Sequence, residues 1–238
     1  MSLMKQHQKR VAERAKGNNP DLVPGVTSKS SFLNMLDTLL ETDRATLKGY
    51  ESVALKEQEK RERLIPAYRP HIQRLKDEGA KHDLLGFFLL WLFDAGFINE
   101  AMEHATYCMT HGVTMPEGIK TKTQTMVCDL LGKWAWNEVK NGHSPEPYLS
   151  DLIRFIEEST PAGSVPDIQN KSLGRLYKTH GFVAEKEGRW QDAVSAFTHA
   201  KRLGENVQTK LETCTKKLAA QPADDTSNEP AATEQQDA

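Results

Sequence analysis

His104, Cys108 and His111 stand at i, i+4 and i+7 of a helix-forming stretch, a spacing that sets three possible metal ligands on one helical face. The same spacing suits a small core cysteine flanked by two histidines near a helix end, and no fourth ligand follows at a defined interval. We therefore assign no metal site. Asp94, Glu100 and Glu103 are close in sequence, and two of them would hold a hydrolytic Mg²⁺ if the fold brought a third group to them. Around a loop and a helix start, carboxylates more commonly cap and solvate. PDIQNK, at 166–171, opens like a nuclease PD motif but lacks the acidic-x-lysine element that would follow. No GxxxxGK[ST] loop, GxGxxG turn, GxSxG elbow or HExxH helix occurs, so nucleotide hydrolysis and the commoner hydrolase chemistries find no support.

Two groups of cations remain as candidates for binding a polyanion. The first is an N-terminal arm carrying Lys5, Lys9, Arg10, Arg14 and Lys16 against the single acid Glu13. Such an arm either displaces counterions from DNA phosphates or is simply a solvated end. The second is Lys56, Lys60, Arg61 and Arg63, interleaved with Glu57, Glu59 and Glu62. Alternating charge of this kind usually marks a solvent face with internal ion pairs, and less often a nucleic-acid or oligomer surface.

The elements that must carry these residues are helical. Leu84 to Phe93 is an unbroken apolar run closed by Asp83 and Asp94, too short to span a bilayer but apolar around most of its circumference. It demands burial by neighbours. Gly96 interrupts it, and a second helix follows in which Ala101, Ala105 and Cys108 form a small-residue face until Gly112 and Pro116. Upstream, Ser30 or Ser31 opens a long charged helix over 29–63, with Phe32, Leu33, Leu36, Leu39, Leu40 and Leu47 in helical period and a polar distal part that projects from the core. Pro66 and Pro70 in LIPAYRPHI predict a stiff turn before the central hairpin, with Tyr68 packed on that hairpin.

Downstream, Thr123–Lys140 and Tyr148–Glu158 read as amphipathic core helices. Gly181, Ala184, Gly188, Ala193, Phe197 and Ala200 fall at the spacing of a tetratricopeptide-like hairpin, in which small residues let two helices approach. Gly96 and Gly188 share no fixed period with a third unit, so this is helix-pair packing and not a solenoid. The expected fold is all-α: a helical bundle or short superhelix of helix hairpins, with tetratricopeptide-like packing near the C-terminus. Its parts are a flexible basic arm at 1–28, the charged helix at 29–63, a helical core at 64–218 and a disordered acidic tail at 219–238.

A net charge of -2 over 238 residues and a mean hydropathy of -0.61 describe a soluble chain. Lacking an apolar leader, it is expected in a cytoplasm, with no membrane partner. Cys108, Cys128 and Cys214 are odd in number and far apart, which fits neither a disulfide framework nor a CxxC metal site.

Three segments carry a family resemblance: TDRATLKGYESVALKEQEKRERLIPAYRP, DLLGFFLLWLFDAGFINEAMEHATYCMTHGVTMP and GRWQDAVSAFTHAKRLGENVQTKLETCTKKL. In that order they resemble the small terminase subunit of P2-like tailed bacteriophages, over about residues 42 to 218. The resemblance implies a component of the DNA-packaging motor. Such a subunit binds double-stranded viral DNA at the cohesive-end site as a homo-oligomer and brings it to a terminase large subunit carrying the ATP site, in the cytoplasm of the bacterial host. The family is also described as the terminase endonuclease subunit, and Mg²⁺ would be needed if this chain cuts. No catalytic motif of such an activity can be matched to its residues. The acidic tail departs from the basic C-terminus expected of members that bind DNA through that end. Weight shifts to the arm and to the Lys56–Arg63 stretch. Two rival readings are a helical protein-interaction scaffold without DNA affinity and an intrinsic metal-dependent endonuclease.

Overall fold

In the computed structural model the residues described are 29–221. They are helical with no strand among them, as an all-α chain should be. The basic arm at 1–28 and all of the acidic tail beyond Gln221 lie outside them. The chain divides into two compact units, one ending at Ala101 and joined by Pro116–Gly118, the other comprising Met102–Met115 and Ile119 onward.

The first unit begins with α1, Lys29–Gly49, whose inner face buries Phe32, Leu36, Leu40 and Leu47 at helical spacing. Thr38, Thr42 and Thr46 each donate their hydroxyl to the carbonyl four residues back, which satisfies the side chains without a partner from another helix. The helix expected to run unbroken over 29–63 stops at Gly49. Ser52 then starts α2, Val53–Glu59, by accepting from the Leu55 amide.

The expected turn at LIPAYRPHI is also absent. Helix winding continues from α2 through a π-wound turn, Lys60–Leu64, into α3, Ile65–Asp77. Ile65 N–H reaches back five residues to the Lys60 carbonyl, and the next residue, Pro66, has no N–H to give. The register therefore slips where one bond is missing anyway, and Pro66 falls in the first turn of α3, where helices tolerate it. Pro70 sits inside α3 on its exposed side. Tyr68 packs as the sequence predicts, with its ring 5.5 Å from that of Trp91 and its hydroxyl donating to Asp43 at 2.8 Å.

α4, Asp83–Asp94, is the apolar run, and Leu84, Leu85, Phe88, Leu89 and Leu92 are at most 1% exposed. His82 caps it by accepting from the Leu84 amide at 3.0 Å. Gly86 is required there, since a Cβ would stand 2.5 Å from Cδ of Pro116. Gly96, at φ +76°, turns the chain into α5, Ile98–Thr110, which starts in the first unit and continues in the second.

The second unit contains α6, Thr123–Lys140; α7, Tyr148–Ser159; α8, Asn170–Lys186; α9, Trp190–Arg202; and α10, Gln208–Ala219. The hairpin of α8 and α9 is closed by Gly181, whose missing Cβ would lie 2.6 Å from the fully buried Phe197 ring. Phe182 meets that ring edge-on at 5.4 Å. This is the small-residue approach that the sequence spacing predicts. Along α6, Val127 and Leu131 are buried, whereas Met126, Leu130, Trp134 and Val139 are only half-buried. Its most enclosed positions include the small residues Cys128, Gly132 and Ala135.

Candidate nucleic-acid interface

Of the cations singled out by the sequence, Lys5, Lys9, Arg10, Arg14 and Lys16 lie outside the described residues. The other four stand on α2 and the π-wound turn, and three of them have protein partners. Lys60 Nζ lies 2.5 Å from Asp94 Oδ2, with the Lys60 side chain only 13% exposed. Arg61 donates from Nε and Nη2 to the Ala95 carbonyl, at 3.1 and 2.9 Å. Arg63 Nη2 lies 2.7 Å from Asp43 Oδ1, and its Nε is bonded to Glu59. The hydrogen bonds Arg63 donates to Glu59 and then to Asp43 hold its guanidinium more firmly protonated than usual, against the opposing effect of its partial burial. Lys56 is half-buried and forms no salt bridge among the described residues. The helix expected to project is thus clasped to α1 and to the end of α4 within its own unit.

The acidic candidates for metal chemistry are similarly engaged. Asp94 serves Lys60, and Glu100 takes a two-point grip from Arg69, with Nε to Oε1 at 3.0 Å and Nη2 to Oε2 at 2.8 Å. Glu103 is exposed on α5. Asp167 of PDIQNK pairs with Lys122. Cys108 is fully buried, His104 is 1% exposed, and His111 stacks on Tyr107 with ring centroids 4.1 Å apart. Among the described residues, no group of three His, Cys, Asp or Glu side chains is placed to hold a metal ion. No helix among them is long and apolar enough to cross a membrane.

Sequence reasoning missed a groove of about 380 Å³ that opens in the second unit between α6 and α8, lined by Cys128, Gly132, Lys133, Trp136, Arg175 and Lys178 among others. Burial raises the Cys128 thiol to about 12, so it contributes a neutral wall and not a nucleophile. Lys178 is tied to Glu205 at 2.9 Å. The only sequence signal was the helix-interior Gly132, which reads no differently from Gly174 until its surroundings are known.

The described residues form an all-α fold of helix hairpins, and a fold of this kind does not by itself assign a function. Residues 38–162, over half of the chain, match the phage small terminase subunit family, and the chain belongs to that family. Its relatives include the terminase endonuclease subunit of Escherichia phage P2, 27% identical over 190 residues that make up 77% of this chain and 73% of that protein. The probable terminase endonuclease subunit of Haemophilus phage HP1 is 27% identical over 124 residues. That match spans 51% of this chain and 44% of the HP1 protein, less than half its length. No solved structure matches.

Proposed function

We propose that this chain is the DNA-recognising component of a phage packaging motor. It binds double-stranded viral DNA at the cohesive-end site as a homo-oligomer and delivers it to the terminase large subunit, in the cytoplasm of the bacterial host. The observation that carries this reading is the family match over residues 38–162. ATP is assigned to the large subunit, and Mg²⁺ enters only if this chain itself cuts.

Within that reading the arm residues Lys5, Lys9, Arg10, Arg14 and Lys16 are the principal phosphate contacts. The internal engagement of Lys60 and Arg63 supports this emphasis, because a cation already paired with Asp43, Glu59 or Asp94 gains less from a phosphate. Lys56, which forms no salt bridge, and Arg61, whose bonds go to a neutral carbonyl, are the members of that stretch whose charge no carboxylate offsets among the described residues. Small residues along Gly181 to Ala200 would equally suit a protein scaffold, so the test must read DNA binding directly.

The purified chain, without large subunit, is titrated with a cohesive-end duplex and a scrambled duplex over a salt series with Mg²⁺, and the products are run on a gel. Preference for the cohesive-end duplex without cleavage is expected. Replacing Lys9, Arg10 and Arg14 with Ala should flatten the log-log salt dependence by about 0.9 for every phosphate the arm no longer neutralises. Cleavage by the chain alone would support the endonuclease reading, and no binding to either duplex would favour the scaffold.

A further inference from the structure

Four glycines, Gly86, Gly132, Gly174 and Gly181, lie well inside the helices of the two units and are buried. Three of them are explained by packing: a Cβ would stand 2.5 Å from Pro116 at Gly86, 3.1 Å from Glu205 at Gly174 and 2.6 Å from Phe197 at Gly181. A Cβ on Gly132 would meet nothing within 4 Å. Glycine is unfavourable relative to alanine in a helix interior, and here no close approach compensates. What Gly132 provides is open space, on the wall of the groove between α6 and α8.

The groove is furnished for a ligand of recognisable chemistry. Trp136 lines it, half-buried, with the Phe182 ring 5.5 Å away at 53° and Lys140 Nζ 5.4 Å from the centre of its ring. Lys133 and Arg175 reach it from opposite helices, both exposed and neither in a salt bridge among the described residues. Asp129 on the same rim supplies an acceptor. An indole presents an aromatic wall for stacking, two unpaired cations suit a phosphate, and a carboxylate accepts from an exocyclic amine. The volume, about 380 Å³, falls in the range of small-ligand sites.

We propose that this groove binds a single unstacked nucleotide, with the base against Trp136 and the phosphate between Lys133 and Arg175. Resting on the DNA-packaging reading above, the source of that nucleotide is a single-stranded DNA end. A free nucleotide shares the chemistry, and the experiment separates the two. A nucleotide held in a duplex stack cannot enter, so the groove recognises something that duplex contacts by the arm do not.

The test uses the full chain and three fluorescent or competing probes: an eight-nucleotide mixed-sequence single strand, free deoxynucleoside mono- and triphosphates, and a blunt duplex. The single strand should bind, with free nucleotides competing only weakly. Gly132→Leu fills the groove with a good helix former and should weaken single-strand binding at least tenfold while duplex affinity and Tm hold. Lys133→Glu with Arg175→Glu, both on the surface, should reproduce the loss even if the filled variant folds poorly. Tight binding of free nucleotides with none of the strand would keep the site and assign it to a soluble ligand. Absence of binding by strand and nucleotide alike, or equal binding by wild type and variants, overturns the proposal. Failure of duplex binding with retained strand binding would instead remove the packaging reading and leave the groove.

Discussion

Arg61 closes its guanidinium fork on the Ala95 carbonyl, just past the end of the most apolar helix, at 3.1 Å from Nε and 2.9 Å from Nη2. A helix C-terminus leaves carbonyls without partners and carries partial negative charge, so a two-pronged cation there satisfies an acceptor and opposes the dipole. Lysine has the charge but not the fork. Arg61→Ala should therefore cost about 1 kcal/mol in urea unfolding, and Arg61→Lys should recover only part of it. DNA affinity should change less than in the arm triple variant. A DNA loss from Arg61→Ala equal to the arm's, with stability unchanged, would make this a phosphate contact instead.

Two glycine substitutions should have opposite signs. Gly181→Ala pushes a methyl into the Phe197 ring, which is fully buried and has nowhere to move. Overpacking of that kind costs about 1–3 kcal/mol. Adding Phe197→Leu should return part of it. Gly132→Ala meets open space and should raise stability by about 0.5–1 kcal/mol through helix propensity alone. Chemical denaturation of the two single variants checks both signs, and destabilisation by Gly132→Ala would mean that α6 needs the glycine for itself.

An unbroken apolar run marked α4 and the spacing of small residues marked the α8–α9 hairpin, because both signals are local, each carried by one helix or one pair of neighbours along the chain. The π-wound turn did not announce itself: Pro66 and Pro70 are helix breakers by local rule, yet the register slip places Pro66 in a first turn, and Pro70 is carried inside α3. The charged stretch was ambiguous for a different reason, since the acids that clasp it, Asp43 and Asp94, lie 20 and 34 residues from their partners. The groove was illegible because an open glycine and a crowded one look the same in sequence. The arm residues lie outside the described part, so their role rests on charge alone.

Met35 and Leu39 are one turn apart on α1 and 42% and 41% exposed, beside the inner face that packs in the first unit. Thr42 and Thr46, next along the same flank at three- and four-residue steps, have hydroxyls turned back to their own helix. The flank is therefore apolar at two positions and satisfied at two more, a surface suited to a second copy of the chain in the homo-oligomer proposed above. Replacing Met35 and Leu39 together with Glu should lower the mass seen by light scattering without lowering Tm. An unchanged mass would move the subunit contact elsewhere.

Stability should fall as pH drops from about 7 to 5, above the range where carboxylates titrate. His180 sits on α8 with neither ring nitrogen hydrogen-bonded, and burial first of all lowers its pKa from the ordinary 6.5. Glu146, Asp192 and Glu157 pull the other way and Arg189 adds to the lowering, and the net direction is down. His71, half-buried beside Arg74, is shifted in the same direction by burial and then by that cation. With a folded pKa below the unfolded one, the unfolded chain takes up more protons between the two values, so acid favours unfolding. The stabilisation is complete above the unfolded pKa and declines through this window. His180→Leu, which cannot take a proton, should flatten the Tm-against-pH curve between pH of about 7 and 5 while leaving its behaviour above about 7.5 nearly level. A variant with the wild-type slope would assign the acid sensitivity to other groups, His71 first, for which His71→Leu is the matching test.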